Sequence, residues 1–268
     1  MVFIRNTLLF ALLTFLTQIG GLVFLAAIGA SRALKASGLI ARLMIFIALY
    51  VVSTIATQAV APVFGRVPLP CFGGNAALQV QSPIFCALNR NYVNIGMQRA
   101  AEALSQHMAK VFPETVTLAL DANFPFWDGF PLLPHLSHDD GRKLDIAFFY
   151  QQKTGEALGG QTRSPVGYFA FEQPKSGGLL PCAGRSDLLT FRWDLEFLQP
   201  FFPDWDVDEA RTREAILWLS SAGRQYGVEK IFVEPHLAKE LAVENPIVRF
   251  QGCRAARHDD HIHFQVVK

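Results

Sequence analysis

A chain of 268 residues with a formal net charge of +1 gives no electrostatic argument for nucleic acid, which calls for a basic stripe, so no nucleic-acid partner is expected. Hydrophobic residues make up 51% and charged residues only 18%, and that average hides an asymmetry, because all 23 acidic residues lie from Glu102 onward. An apolar, weakly basic front is therefore joined to about 200 residues of ordinary globular composition, enough for one domain with a real core.

The front has no charged residue between Arg5 and Arg32, and none between Arg42 and Arg66. A helix needs about 20 mostly apolar residues to cross the hydrocarbon core, and both runs are long enough. The expectation is a two-helix transmembrane hairpin over residues 1–65, with helices at about 7–31 and 43–64. A cleaved signal peptide fits less well. The first run is too long for a signal core, and the small-x-small triplet Ala59-Val60-Ala61 is followed by Pro62. The connecting loop carries Arg32, Lys35 and Arg42, which the positive-inside rule places in the cytoplasm. Everything after Phe64 is then extracytoplasmic, anchored at the inner (cytoplasmic) membrane, and periplasmic in a cell with two membranes.

Residues 66–90 are rich in Pro, Gly, Asn and Cys and read as a linker or irregular lobe before a domain at 91–268. All four cysteines (Cys71, Cys86, Cys182, Cys253) lie outside the front, with no CxxC pair. Cys71 and Cys86 flank a turn-rich loop and can bridge, which leaves Cys182 with Cys253. Four free thiols is the alternative if the domain is cytosolic. Apolar spacing predicts a helix over 92–111, and alternation predicts a strand at 115–120. Residues 122–137 read as a long ordered loop and 144–150 as a buried strand. Residues 151–187 read as a loop insertion with a short strand at 167–171. A helix follows over 208–226, then a strand at 230–234, a short helix at 236–243 and a last strand at 261–267. Strands interleaved with helices predict an α+β domain with a mainly antiparallel sheet and flanking helices.

Five of the seven histidines fall in two short clusters, His135 and His138 in PHLSHDDGRKLD, and His258, His261 and His263 in HDDHIHF. Side chains alternate along a strand, so His261 and His263 face one side, about 7 Å apart at Cα. That suits one metal ligand beside one base. His138 lies in a loop and Asp145 enters a strand, with Gly141 permitting the turn that brings them together. Two imidazoles and one carboxylate leave a position open for water, as in a catalytic zinc site, and the absence of thiols argues against a structural one.

These residues, Ser137-His138-x-x-Gly141-x-x-x-Asp145 followed by His261-x-His263, resemble the LAS metallopeptidases. These comprise lysostaphin-type enzymes, D-Ala-D-Ala carboxypeptidases and dipeptidases, and penicillin-insensitive murein endopeptidases. The murein endopeptidases are the nearest in pattern, matched by His135-Leu-Ser-His138 and His258-Asp-Asp-His261-Ile-His263. The segment VEKIFVEPHLAKEL is similar to the strand and short helix that precede their final motif. The resemblance spans roughly residues 130–268 and leaves out the front. It implies a LAS/hedgehog-like peptidase domain with Zn2+ on His138, Asp145 and His263. It also implies His261 as general base and His258 assisting, with Asp259 and Asp260 orienting the imidazoles. The activity implied is hydrolysis of amide bonds in peptidoglycan peptides by a membrane-anchored zinc metallopeptidase. One departure stands out. Many relatives carry an Arg on the strand before the first motif, whereas TLALDANFPFW has none, and Arg99 is the upstream candidate. Its absence leaves room for a non-catalytic cell-wall binding or assembly protein on the same fold.

Overall fold

The computed structural model describes residues 2–72, 77–175, 180–185 and 189–268. Residues 73–76 of the predicted linker, and 176–179 and 186–187 of the predicted loop insertion, lie outside the described residues.

The front forms α1 (Val2–Thr17), α2 (Gly20–Ala33) and α3 (Leu39–Val60), the last prolonged by a 3-10 turn at Ala61–Phe64. The span Leu39–Phe64, 26 residues, is long and apolar enough to cross a membrane. Where one helix was predicted over about 7–31, the chain breaks at Gln18, whose φ is 66°. The glycines explain the break. A Cβ on Gly20 would lie 2.6 Å from Thr17 Oγ1, and one on Gly21 would lie 1.9 Å from Thr14 Oγ1. Only glycine lets the start of α2 pack this closely on α1. At a rise of ~1.5 Å per residue these two helices are about 24 and 21 Å long, shorter than the ~30 Å hydrocarbon core.

The break also docks the front onto the domain. Phe126 N–H donates to Gln18 Oε1 (2.9 Å), and Asn89 Nδ2 donates to Thr17 O (3.4 Å). Tyr50 Oη donates to Ala87 O (2.6 Å). A helix break leaves backbone groups without intrahelical partners, and here Asn89 of the domain supplies one for Thr17 O.

The domain opens with β1 (Val67–Pro68), β2 (Leu78–Val80), α4 (Pro83–Ala87), β3 (Tyr92–Val93), α5 (Ile95–Val111) and β4 (Thr117–Ala119). It continues with β5 (Lys143–Ala147), β6 (Tyr150–Gln151), β7 (Ala157–Leu158), β8 (Asp206–Val207) and α6 (Glu209–Ser220). It closes with β9 (Val228–Phe232), α7 (Pro235–Glu240), β10 (Val248–Arg249) and β11 (His261–Val266). The main sheet has the order β10-β9-β11-β5-β4-β2. Its centre is antiparallel, as expected, while both outer pairs, β10 with β9 and β2 with β4, are parallel, so the sheet is mixed.

The α5 helix is capped by the Asn94 side chain, which accepts from Met97 N–H (2.7 Å), and it buries Met97, Ala100, Ala101, Leu104 and Met108. Each large apolar side chain on that face contributes about 2 kcal/mol of burial. The α6 helix is capped by Asp208, which accepts from Arg211 N–H (3.0 Å), and packs through Ala215, Ile216 and Leu219. Together these faces fill the core with Leu144, Ile146, Ile231, Ile262 and Phe264 from the central strands. The strand predicted at 167–171 does not form. Gly167 (φ 78°) and Phe169 (φ 73°) are left-handed and turn the chain there. Both cysteine pairs are disulfides, Cys71–Cys86 and Cys182–Cys253.

Candidate metal centre

Strand register assembles the site. In the β11–β5 pair His263 lies directly opposite Asp145, and His261 lies opposite Ala147. Cross-strand partners sit within about 5.5 Å at Cα, so register alone joins residues 118 positions apart in sequence. His138 arrives from the loop before β5, and its Nδ1–H donates to Ala122 O (3.0 Å), just beyond β4. That bond leaves Nε2 free to ligate. Gly141 makes the turn between them with φ 70°, and a Cβ there would lie 2.7 Å from Arg66 Nε.

Three donor atoms converge. His263 Nδ1 is 2.8 Å from Asp145 Oδ1 and 3.1 Å from His138 Nε2, and His138 Nε2 is 3.4 Å from Asp145 Oδ1. A tetrahedral zinc with bonds of ~2.0–2.1 Å separates its ligands by about 3.3 Å, so this trio is spaced to hold such an ion. All three residues are buried, and the group can bind a metal ion. As it stands, Gln265 Nε2 donates to His263 Nε2 (3.0 Å), so His263 carries its proton on Nδ1 and gives it to Asp145. Metal uptake therefore displaces a proton.

The second predicted pair also lies in the cluster. His261 Nδ1–H donates to Asp260 Oδ1 (2.5 Å), and its Nε2 lies 3.6 Å from Asp145 Oδ1. That Nε2 is buried without a hydrogen-bond partner. The His258 ring lies 4.9 Å from that of His261 and 5.5 Å from that of His263, centroid to centroid. His135 is in the cluster as well: its Nδ1 lies 3.0 Å from Asp121 Oδ2 and 3.6 Å from Asp145 Oδ2. His107 pairs with Glu214 and His236 bonds Glu172 O, both away from the site. Of the two expected orienting carboxylates, Asp260 serves His261, while Asp259 pairs with Arg257 (2.5 Å).

Electrostatics follow from burying so many ionisable groups around one carboxylate. Burial pushes Asp145 up, but the His138 and His261 charges outweigh it and hold the carboxyl well below its usual range. Burial lowers His261, yet Asp145 and Asp260 outweigh it and push the imidazole up to about 9. With Asp145 engaged by a cation, the first of those charges no longer favours the proton. Burial, joined by the charges of His261 and His263, drives His258 well below its ordinary value.

Three residues here were not read from sequence. Arg90 donates from Nε to Asp121 Oδ1 (2.8 Å), from Nη2 to Asp121 Oδ2, and from Nη2 to Leu133 O (2.8 Å). Arg90, not Arg99, thus stands beside the cluster, and its guanidinium also feels the Asp145 charge. Tyr168 Oη donates to Asp145 Oδ2 (2.7 Å). An acid closing a buried strand, as Asp121 does in TLALD, is a usable signal; Arg90 and Tyr168 carry none in their spacing. A cavity of about 500 Å³ is lined by Arg192, Asp194, Gln199, Arg257 and the Cys182–Cys253 disulfide, and neither the trio nor His258 or His261 lines it. A scan against protein-family models finds no match for this chain, and a search of curated proteins finds none either.

Proposed function

We propose that the protein is a membrane-anchored zinc metallopeptidase that hydrolyses amide bonds in peptidoglycan peptides, as its likeness to murein endopeptidases implies. The observation that carries this reading is the convergence of His138 Nε2, Asp145 Oδ1 and His263 Nδ1 beside an orphaned His261 Nε2. A bare structural metal site has no use for a buried, unpartnered base at its edge. Bound there, zinc supplies Lewis-acid polarisation of an amide carbonyl and activation of water. His261, held by Asp260, takes the proton of the attacking water through Nε2 and returns it to the leaving amine. One water is consumed, giving a carboxylate and an amine. His258, kept neutral by burial, donates a hydrogen bond to the developing oxyanion.

Location rests on two supports. The Leu39–Phe64 span is long and apolar enough to anchor the chain, and the basic loop with Arg32, Lys35 and Arg42 supports, by the positive-inside rule, a domain outside the cytoplasm at the inner membrane. The two disulfides fit an oxidising compartment. One observation favours the non-catalytic alternative: all three residues of the trio are buried.

Incubating the purified full-length protein in detergent with defined muropeptides and zinc separates the two. The expected result is new amine and carboxylate termini, lost on chelation and restored by zinc. H261A is expected to keep the metal and lose turnover by ~10²–10⁴-fold. No cleavage by zinc-loaded protein removes the peptidase reading in favour of a binding role.

A further inference from the structure

The segment between β7 and β8 crosses the histidine cluster, and two successive residues in it touch the two carboxylates that matter most. Asp121 N–H can only donate, so Tyr168 Oη accepts there (3.0 Å) and its own proton goes to Asp145 Oδ2 (2.7 Å). Oδ2 is thereby engaged, and Oδ1, the atom facing His138 and His263, is left for a cation. One residue on, Phe169 N–H donates to Asp260 Oδ2 (2.6 Å), which leaves Asp260 Oδ1 to take His261 Nδ1–H (2.5 Å).

The backbone that makes both contacts possible is strained. Phe169 has φ 73°, a left-handed conformation that a residue with a side chain rarely adopts. Gly167 has φ 78°, and a Cβ there would lie 2.2 Å from Leu120 Cδ2. Gln199 fastens the strained stretch, donating from Nε2 to Phe169 O (2.7 Å) and accepting at Oε1 from Phe171 N–H (3.1 Å). Strain of this kind persists only where surrounding contacts enforce it.

We propose that the Tyr168–Phe169 dipeptide is a clamp that positions the metal carboxylate and the base together, with Tyr168 a positioning residue that makes Asp145 a one-oxygen ligand. The proposal rests on the metal reading above. Tyr168 touches neither ion nor substrate; it acts through Asp145. Removing its hydroxyl frees Oδ2 to join Oδ1 on the ion, which raises the coordination number.

Cobalt(II) in place of zinc reports that number directly, because four-coordinate cobalt absorbs visible light more strongly than five- or six-coordinate cobalt. In the full-length protein, wild type is expected to give the strong visible band. Tyr168→Phe is expected to bind cobalt ~10–100-fold more weakly and with a weaker band. A folded Tyr168→Phe with wild-type affinity and an unchanged band overturns the clamp while leaving the metal reading intact. A wild-type protein that takes up no cobalt overturns the metal reading and the clamp with it. If Tyr168→Phe does not fold, Gln199→Leu loosens the same stretch from outside the cluster. A smaller shift in the same two readouts supports the clamp, and identical readouts overturn it.

Discussion

In the front, Phe3, Leu12, Ile47 and Val52 are exposed while Gln18 and Thr57 are buried; in the domain, Leu104, Ile146 and Phe264 are fully buried. The front thus wears its apolar surface outward, as a chain solvated by lipid does, and the domain turns its own inward, as a chain solvated by water does. The domain then breaks its own rule at one place. Asp121, Asp145, Asp259 and four imidazoles (His138, His258, His261 and His263) are buried around the centre of the sheet, with His135 partly buried beside them. Buried ionisable groups cost stability unless paired, so their concentration marks the place where the fold depends most on exact pairing.

The comparison sharpens most where that polar cluster is held together. Arg90 is the cation that balances Asp121. Burial pushes the Asp121 carboxyl up, but the Arg90 charge and the His135 hydrogen bond outweigh it and hold it below its usual range. Its contribution is therefore present above the ordinary carboxylate range and lost as pH falls through the depressed value. Arg90→Met strands the charge and is expected to cost ~3–5 kcal/mol at pH 7 by denaturant unfolding. In the variant, only the His135 contact still opposes burial, so the Asp121 carboxyl rises and the gap to wild type closes as the pH is lowered. A gap that widens toward acid contradicts this assignment.

The disulfides come next. Cys182–Cys253 closes a separation of 71 residues and Cys71–Cys86 one of 15. Paired Cys→Ser replacement is expected to cost ~4 kcal/mol for the longer loop and ~3 kcal/mol for the shorter, read as the shift in denaturant midpoint. The reverse order contradicts a loop-closure origin. The smallest effect tests the front. Val52→Arg places a charge within α3 at ~2.5–3.5 kcal/mol near a bilayer centre, and is expected to shift the protein from the membrane fraction without changing metal content. Full retention in membranes contradicts a spanning role for Leu39–Phe64.

The same contrast governs how much was legible in the sequence. The apolar front shows in composition, because lipid exposure needs only long uncharged runs. Its break at Gln18 does not, since it depends on Gly20 and Gly21 meeting Thr17 and Thr14 across a turn. In the domain, α5 was readable from apolar periodicity, α6 from its local sequence pattern, and β11 from the alternation His261-Ile-His263, whereas the Asn94 cap that starts α5 was not read. His138, Asp145 and His263 were readable because ligand chemistry restricts residue type. Arg90 and Tyr168 were not, because each reaches the cluster through contacts 31 and 23 residues away in sequence. Residues 167–171 carried the aromatic signature of a strand, and left-handed backbone at Gly167 and Phe169 overrode it.

The central claim is that His138, Asp145 and His263 hold one metal ion, and metal analysis of the purified full-length protein tests it most directly. The expected result is one zinc per chain in wild type and in H261A, and none retained after dialysis in H138A, D145A or H263A. Zinc-free wild type after zinc exposure, or full zinc occupancy in H263A, would contradict it.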